Sequence, residues 1–347
     1  MADITLNAVE KHFDGTPALQ AITAQIEDGE FVALLGPSGC GKSTLLRLLA
    51  GFDAPTRGQI SIGAREVANA ATNSSVPPEQ RNIGFVFQSY ALWPHMTVRR
   101  NVSFALEVRG LSKADQALHA DAALEATGLT SFADRMPADL SGGQRQRVAL
   151  ARCLVSDPEA VLLDEPLANL DVALRATMQQ VFLDFHQRTV ATMVYVTHDQ
   201  AEAMAMADRI AVMAEGRIVQ FDTPEALYNC PNNRFVAGFV GEGTVLPICE
   251  ARIGDGGSSA RLFGVEIAVR TRDEQPNLLC LRPEDITLCK TGDLRARVLR
   301  STYLGGRYRL TLQTSCGAEL LVTSRVRHSV GDQLGLAIGT PWAFYED

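Results

Sequence analysis

One glycine-rich stretch constrains the fold of this chain more than any other feature. Residues Gly36–Thr44 read GPSGCGKST; they follow the apolar run Phe31–Leu35 and precede Leu45–Ala50, which Gly51 would end. The first run predicts a buried strand and the second predicts a helix. A strand, a glycine-rich turn and a helix in this order are typical of a phosphate-binding loop, whose backbone N–H groups surround the phosphates. The chain is therefore predicted to bind a nucleoside triphosphate.

The residue types of this loop predict individual roles. Lys42 would reach the β- and γ-phosphates, and the hydroxyl of Ser43 would ligate Mg²⁺. The chain contains only four lysines, so a lysine at this position is not a product of a lysine-rich composition. The residues predicted to contact the nucleotide here are Gly36, Pro37, Ser38, Gly39, Cys40, Gly41, Lys42, Ser43 and Thr44.

Polar side chains follow two further apolar runs that predict strands. Ala160–Leu163 is followed by Asp164 and Glu165, and the run that begins at Thr192 is followed by His198. The carboxyl ends of parallel strands meet at one edge of a sheet, where ligands bind. Asp164 is therefore predicted to hold Mg²⁺ through water, Glu165 to act as the general base on the attacking water, and His198 to contact the γ-phosphate. The alternatives are a solvated strand end for the two acids and a satisfied core residue for the histidine.

A second glycine-containing helix start lies between these segments. Ser141 is a natural N-cap, and Gly142 and Gly143 after it leave backbone N–H groups available to an anion, while Gln144 leads into a helix with an arginine face. By itself this pattern fits a capped helix equally well. In a chain that binds a nucleotide it also predicts a second phosphate-binding helix end.

The remaining patterns describe an α/β domain and a β-rich tail. A helical stretch at about 89–156, preceded by irregular residues 89–95 with aromatics that look exposed, interrupts the α/β alternation and predicts an inserted helical subdomain. Beyond Gly243 the chain shows short alternating strands with turn signals at Gly256-Gly257 and Gly305-Gly306, which predicts a small β-barrel or sandwich. Other predicted strands, helices and hairpins cover 4–6, 22–26, 58–62, 83–87, 97–109, 114–126, 170–188, 192–197, 210–221, 224–228, 234–239, 278–281, 295–299, 308–312 and 320–323.

Composition excludes several classes of protein. Residues 1–244 hold 19 basic and 28 acidic side chains and residues 245–347 hold 13 and 12, so neither part has the basic balance of a nucleic-acid binder. No stretch approaches the roughly 18 apolar residues that span a bilayer, and the first residues do not resemble a signal peptide. Seven scattered cysteines favour reduced thiols of a cytosolic protein over disulfides or a zinc site.

Taken in order, these motifs resemble those of an ABC transporter ATPase subunit over essentially residues 3–240. Gly36–Thr44 is similar to the family's Walker A loop, Val161–Glu165 to its Walker B strand and Leu140–Gln144 to its signature motif. The resemblance implies a role for three further residues. Gln88 would be the Q-loop glutamine that senses Mg²⁺ and faces the membrane subunits, Asp171 the D-loop aspartate, and His198 the switch histidine.

Phe13 stands where the family has a base-stacking aromatic, often a tyrosine. Stacking on the base would survive this difference, whereas a hydroxyl contact would not. Without the resemblance, an aromatic that caps the core is an equally good interpretation of Phe13. The resemblance therefore adds Phe13 to the residues predicted to bind ATP.

The tail resembles the TOBE domain of importer ATPases through Leu281–Ile286 and Tyr303–Gly306. The implied fold is α/β: a P-loop NTPase (RecA-like) core at 1–240, with an antiparallel β subdomain and the inserted helical subdomain, followed by a small all-β OB/TOBE-like domain at 245–347. In such systems two copies enclose two Mg-ATP, with Ser141 and Gly143 of one copy completing the other's site.

The family also implies partners and a location: two transmembrane permease subunits, indirectly a solute-binding receptor protein, and the cytoplasmic face of the plasma membrane. The solute stays open among ferric ion, polyamine, phosphonate, sulfate and sugar. ABC ATPases that act on DNA or ribosomes are disfavoured, because the chain lacks long coiled coils, zinc sites and a second ATPase domain. A regulator without ATPase activity is disfavoured because every catalytic position is filled.

Overall fold

The fold was analysed in a computed structural model that describes residues 2–168, 170–254, 257–290, 292 and 294–346. The chain divides into two compact units, Met1–Phe221 and Asp222–Asp347. The domains predicted from the sequence, 1–240 and 245–347, assign residues 222–240 differently, and their boundaries stay a prediction. Of the predicted turn at Gly256-Gly257, the first residue lies outside the described residues.

The first unit alternates strands and helices around a largely parallel sheet. Three short 3₁₀ segments, Pro78–Gln80, Thr130–Phe132 and Pro137–Asp139, lie in its connections. Its strands and helices are β1 (Ile4–Phe13), β2 (Thr16–Ile26), β3 (Phe31–Leu35), α1 (Lys42–Ala50), β4 (Arg57–Ile62), β5 (Arg65–Asn69), β6 (Ser74–Ser75), β7 (Ile83–Val86), α2 (Val98–Val108), α3 (Lys113–Ala126), α4 (Gly142–Leu154), β8 (Ala160–Asp164), α5 (Val172–Thr189), β9 (Thr192–Thr197), α6 (Gln200–Met206), β10 (Arg209–Ala214) and β11 (Arg217–Asp222).

The central sheet has six strands in the order β11-β10-β3-β9-β8-β7. From β10 to β7, each strand is parallel to the next one in this order. Strands β3 and β9 are buried along their whole length, as expected of a parallel sheet whose two faces are covered. The carboxyl ends of β3, β8 and β9 therefore meet at one edge, which is where the predicted site residues follow.

A second, antiparallel sheet in the order β2-β1-β4-β5-β6 packs beside α1, and the buried Arg81 joins the two. Its guanidinium donates to the carbonyls of Leu48 and Leu49 at the end of α1, at 2.7 and 2.9 Å, and to that of Val67 in β5 at 3.2 Å. Burial lowers the pKa of Arg81 to about 10. The predicted antiparallel subdomain is thus attached to the helix that follows the phosphate loop.

The helical stretch between β7 and β8 contains α2, α3 and α4, packed around Val102, Leu124 and Val148. The prediction of exposed aromatics in residues 89–95 is wrong. Tyr90 and Trp93 are half-buried, because Arg152 of α4 donates to the carbonyls of Tyr90 and Ala91 at 2.9 and 2.6 Å and covers the ring of Trp93. The loop after β7 is therefore bonded to α4.

The second unit is built mainly of antiparallel strands, which confirms the predicted small all-β domain. The elements are α7 (Pro224–Asn229), α8 (Arg234–Phe239), β12 (Thr244–Pro247), β13 (Cys249–Arg252), β14 (Ser258–Leu262), β15 (Val265–Val269), β16 (Leu278–Leu281), β17 (Ile286–Cys289), β18 (Leu294–Tyr303), β19 (Tyr308–Thr314), β20 (Glu319–Ser324), β21 (Gln333–Ile338) and β22 (Trp342–Phe344). A 3₁₀ turn lies at Pro283–Asp285. The sheets have the orders β12-β16-β22, β13-β14-β15 and β17-β21-β18-β19-β20.

A buried arginine also organises this unit. The guanidinium of Arg282, just after β16, donates to the carbonyls of Tyr228, Ala237 and Val240 at 2.8, 2.9 and 2.6 Å. These carbonyls belong to α7, α8 and the residue after α8, so Arg282 binds both helices to the sheet. Among the described residues of the whole chain, no helix is long and apolar enough to cross a membrane.

Candidate active site

The loop between β3 and α1 has no room for a side chain at two of its glycine positions. A Cβ on Gly36 would lie 2.3 Å from the carbonyl oxygen of Met213, and one on Gly41 would lie 2.7 Å from that of Ala18. Gly41 also has φ +103° and, as the N-cap of α1, offers no side-chain acceptor. The first N–H groups of α1 have no partner within the helix and remain available to an anion.

Lys42 adds a positive charge inside this loop. Its side chain is buried, and Nζ donates to the carbonyls of Gly36 and Pro37 at 2.8 and 2.9 Å. The thiol of Cys40 is buried as well, 3.8 Å from the same ammonium group. Lys42, the amides of the loop and the N-terminus of α1 together form a cradle of positive potential that suits phosphate groups.

Ser43 and Asp164 meet at the edge of the sheet. The hydroxyl of Ser43 donates to Oδ1 of Asp164 at 3.3 Å. Burial raises the pKa of Asp164, the Ser43 hydroxyl partly offsets that effect, and the neighbouring charge of Glu165 raises the pKa further. A hydroxyl and a carboxylate side by side are the hard oxygen donors that Mg²⁺ prefers.

Glu165 and His198 lie together beside this pair. Nδ1 of His198 is 3.2 Å from Oε2 of Glu165, and the amide of Glu165 donates to the carbonyl of Val196 in β9 at 3.1 Å. Glu165 has φ +43°, a left-handed conformation that is unfavourable for this residue type. Both side chains retain access to solvent, 25% for the glutamate and 59% for the histidine. A carboxylate held in this way can accept a proton from a water molecule.

The predicted residues of the second helix start form another group. Ser141 and Gln144 make a capping box: Oγ of Ser141 accepts the N–H of Gln144 at 3.3 Å, and Oε1 of Gln144 accepts the N–H of Ser141 at 2.9 Å. The amides of the first helical residues, Gly142 and Gly143, are left to other acceptors. A Cβ on Gly143 would lie 2.6 Å from Leu174 of α5, whose N–H is capped by Asp171 at 3.0 Å.

Phe13 and Gln88 flank these groups. Phe13 ends β1 with 46% of its surface exposed, and the ammonium group of Lys11 lies 4.9 Å from its ring centre. Gln88 lies two residues after β7, which runs parallel to β8, and it lines a surface cavity of about 470 Å³ with Tyr90 and Arg145. The structure thus brings Lys42, Ser43, Asp164, Glu165 and His198 to one edge of the sheet.

Sequence reasoning missed a set of residues behind His198. Arg175 of α5 contacts Asp199 at 3.0 Å and Glu202 at 3.5 Å. Helix α6, which carries Glu202, was not predicted. Its signal was present, because an aspartate three residues before a glutamate has the spacing of a capping box, and Asp199 is indeed the N-cap of α6.

The parallel sheet, the glycine-rich loop that leads into α1, and the acids and histidine at the same edge define a P-loop nucleoside triphosphatase. The model of the ABC transporter family matches residues 19–168, and that of the TOBE domain matches residues 279–343.

Two kinds of relatives agree with this class. The Fe(3+) ions import ATP-binding protein FbpC of Rhizobium etli is 42% identical over 342 residues, which cover 97% of this chain and 95% of that protein. The maltose/maltodextrin import ATP-binding protein MalK of Yersinia pestis is 50% identical over 241 residues, 70% of this chain and 64% of that protein.

Among solved structures, a dimeric post-hydrolysis ATP-binding cassette bound to ADP and Pi superposes with a TM-score of 0.55 at 31% identity, covering 64% of this chain and 98% of that chain. cbiO1 from Clostridium perfringens, part of the ABC transporter complex cbiONQ, superposes with a TM-score of 0.59 at 29% identity, covering 65% and 89%.

This chain belongs to the ABC transporter family, as an ATPase subunit of the importer type with a C-terminal TOBE domain. The predicted fold class, the predicted ATPase activity and ATP as the bound nucleotide are confirmed.

Proposed function

We propose that this chain is the motor of a solute importer and works as a homodimer around two Mg-ATP. It would drive two transmembrane permease subunits from the cytoplasmic face of the plasma membrane, while a receptor protein delivers the solute. The similarity to import subunits over 97% of the chain supports this function. The contact between Glu165 and His198 at the edge that carries Lys42 is the single observation that carries the catalytic part of the proposal.

The proposed roles follow from the contacts at this edge. Lys42 and the amides of the phosphate loop bind the β- and γ-phosphates. Glu165 accepts the proton of the attacking water, and His198, held beside Glu165, contacts the γ-phosphate. Phe13 stacks on the base with its exposed ring. The left-handed backbone at Glu165 supports a functional role, because such conformations persist where the surrounding structure enforces them.

Mg²⁺ is proposed as the metal. Ser43 and Asp164 would hold it, with Gln88 as a further oxygen donor, and the metal would supply charge neutralisation on the phosphates. The hydrogen bond between Ser43 and Asp164 supports a common ion, because the two oxygens are 3.3 Å apart. Binding of a cation would also stabilise the ionised form of Asp164, whose pKa burial raises.

The residues at the start of α4 support a nucleotide site shared between two copies of the chain. The N-terminus of α4 carries Ser141, Gly142, Gly143 and Gln144 and lies against the start of α5, where Gly143 approaches Leu174. Asp171 lies at that start, and the next residue, Val172, has 83% of its surface exposed. An exposed apolar residue beside an anion-binding helix end suits an interface with a second copy.

The permease subunits are proposed to dock beside β7 and the end of α2. A surface cavity of about 340 Å³ there is lined by Phe85, Phe104, Val108 and Arg109, and Val108 has 72% of its surface exposed. The exposed rings of Phe52 and Phe87 pack against Phe85 close by. The two relatives are named for ferric ion import and for maltose/maltodextrin import, so the solute is left to the receptor and permease subunits.

The functional domains are proposed at 1–240 and 245–347, with the inserted helical subdomain at about 89–156. Helices α7 and α8, which lie within the second compact unit, then form a connecting segment that Arg282 binds to the sheets of that unit. The second domain, which matches the TOBE domain, contains none of the predicted catalytic residues. It would therefore stabilise the dimer or regulate the ATPase.

A mixed dimer tests the shared site. Glu165→Gln removes the proposed base, and Ser141→Arg fills the space in front of α4, so each homodimer carries two defective sites. In the heterodimer both defects fall into one site if the sites are shared, and the other site is intact. Co-purified heterodimers are therefore expected to regain single-turnover hydrolysis. A verified heterodimer that binds ATP and recovers no hydrolysis would refute the shared site.

A further inference from the structure

A buried carboxylate lies behind the contact between His198 and Glu165. The side chain of Glu202 is 5% exposed, and its Oε2 accepts the hydroxyls of Tyr195 and Thr197 at 2.7 and 2.8 Å. Its other oxygen, Oε1, is 3.5 Å from Nε of Arg175. A buried glutamate needs such partners, because an unpaired charge away from water is strongly unfavourable.

The ion pair between Arg175 and Glu202 holds both neighbours of His198. Thr197, the residue before it, donates to Glu202 and accepts the N–H of Asp199 at 3.0 Å. Asp199, the residue after it, contacts Nη1 of Arg175 at 3.0 Å through Oδ2. The backbone on each side of His198 is therefore tied to the same pair.

Arg175 also reaches the segment that precedes α5. Its Nη2 donates to the carbonyl of Leu170 at 3.4 Å, and Leu170 precedes Asp171, the N-cap of α5. A small enclosed cavity is lined by His198 and Glu165 as well as by Arg175 and Glu202. One ion pair thus contacts two segments that carry proposed site residues.

Stability alone gives little reason for this arrangement. Replacing a buried ion pair by apolar residues of similar volume is often neutral or stabilising, because desolvation offsets most of the attraction. The two partners do fix geometry through their own hydrogen bonds, since Arg175 donates to Asp199 and the carboxylate of Glu202 accepts the hydroxyls of Tyr195 and Thr197.

We propose that Arg175 and Glu202 are positioning residues for ATP hydrolysis, which hold His198 against Glu165 and connect that contact to Leu170 and Asp171. The proposal rests on the proposed roles of Glu165 and His198. Fixing the residues on both sides of His198 restricts the imidazole to the orientation that faces the nucleotide. A loss of the pair would leave the phosphate loop unchanged and would loosen only this orientation.

The test is the steady-state kinetics of the full-length chain with Glu202→Gln. We expect kcat to fall about 10–100-fold, the usual effect of losing a residue that orients a reacting group. The affinity for a fluorescent ATP analogue should stay within about twofold of the unmodified chain, because the substitution leaves ground-state binding intact. Arg175→Met should behave in the same way, whereas Arg175→Lys, which keeps a cation, should recover a large part of kcat.

A matched ion pair provides the control. Glu30 and Arg209 are 3.4 Å apart, with side-chain exposures of 9% and 32%, close to the 5% and 30% of Glu202 and Arg175. Glu30 immediately precedes β3, at the amino end of the strand, and contacts no proposed site residue through this pair. Glu30→Gln should lower the thermal stability by about as much as Glu202→Gln does, and it should leave kcat unchanged.

His198→Ala, assayed in parallel, separates the possible failures. If His198→Ala is inactive and Glu202→Gln has the kcat of the unmodified chain or of Glu30→Gln, the positioning role is refuted and the proposed function stands. If His198→Ala hydrolyses ATP normally, the role of His198 and the positioning role both fail. If Glu202→Gln does not fold, Arg175→Met and Arg175→Lys decide: a higher kcat for lysine supports the proposal, and equal values overturn it.

Discussion

The two units of this chain differ in where their strands end. In the parallel sheet of the first unit, β3, β8 and β9 finish at the same edge. The residues at or after their ends, among them Lys42, Asp164 and His198, are therefore neighbours. In the second unit β18 and β19 are antiparallel, so the residues that follow them lie at opposite edges. A parallel sheet gathers residues that are distant in sequence, whereas an antiparallel sheet separates them.

The units nevertheless bury an arginine for the same purpose. Arg81 binds carbonyls of α1 and β5 in the first unit, and Arg282 binds carbonyls of α7, α8 and the residue after α8 in the second. Only the first arginine holds a helix that begins at the phosphate loop. Both arginines therefore contribute to packing, and Arg81 alone also supports the helix at the nucleotide site.

The largest expected effect belongs to a carboxylate at the edge of the parallel sheet. Glu165→Gln keeps the shape of the side chain and removes the proposed base, so hydrolysis should slow about 10²–10⁴-fold while ATP binding persists. Glu284→Gln makes the same change in the second unit, where Glu284 accepts a hydrogen bond from Tyr228, and should leave turnover nearly unchanged. The rate of phosphate release, measured for both variants, tests whether only Glu165→Gln slows hydrolysis. Near-normal turnover of the first would assign the base to another residue.

The buried arginines should separate stability from nucleotide binding. Arg282→Met leaves three carbonyls without a donor and should lower the stability of the second unit by about 3 kcal/mol, with ATP affinity retained. Arg81→Met should cost a similar amount and also weaken ATP binding about tenfold, because the end of α1 loses its support. Calorimetry and titration with a fluorescent ATP analogue measure both quantities. Equal ATP affinities would show that Arg81 serves packing alone.

Two truncations sharpen the division between the units. A chain of residues 1–222 ends with β11, and a chain of residues 1–241 retains α7 and α8 but lacks Arg282. Both should bind ATP within about twofold of the full chain, because the site residues remain. In the longer one, the amides of residues 224–240 should exchange rapidly with solvent. Protection of these amides comparable to that in the full chain would show that the two helices fold without Arg282.

The smallest effect concerns the order in which thiols react. A hydrogen bond with the Thr314 hydroxyl lowers the pKa of the exposed Cys316, while burial raises the pKa of Cys153 to about 12 and that of Cys280 to about 11. Because the thiolate is the reactive form, Cys316 should react with a maleimide first near neutral pH, and Cys153 and Cys280 should react late. Cys40 should also react late, because its side chain is buried within the phosphate loop. Mass spectrometry over time gives the order, and early labelling of Cys40 would contradict the packing of the loop.

Much of the fold could be predicted from local patterns. Local patterns predicted the strand, loop and helix around Lys42, the N-cap at Ser141 and the hairpin at 210–221, because turns, caps and periodicity are properties of neighbouring residues. The half-burial of Trp93 and the short helix α6 were missed. The burial of Trp93 depends on contact with the distant Arg152. The start of α6 had a local signal, the spacing of Asp199 and Glu202, which was overlooked.

The sequence by itself determined which residues could take part in the chemistry: a glycine-rich loop with a lysine, acids after an apolar run and a histidine after another. The tertiary structure decided which of them meet. The contact between Glu165 and His198 and the bond from Ser43 to Asp164 exist because parallel strands bring their carboxyl ends together. The pairing of Arg175 with Glu202 depends on how α5 packs against α6. No local sequence pattern predicts this pairing, because the partner of a buried charge is the opposite charge that lies near it in the folded structure.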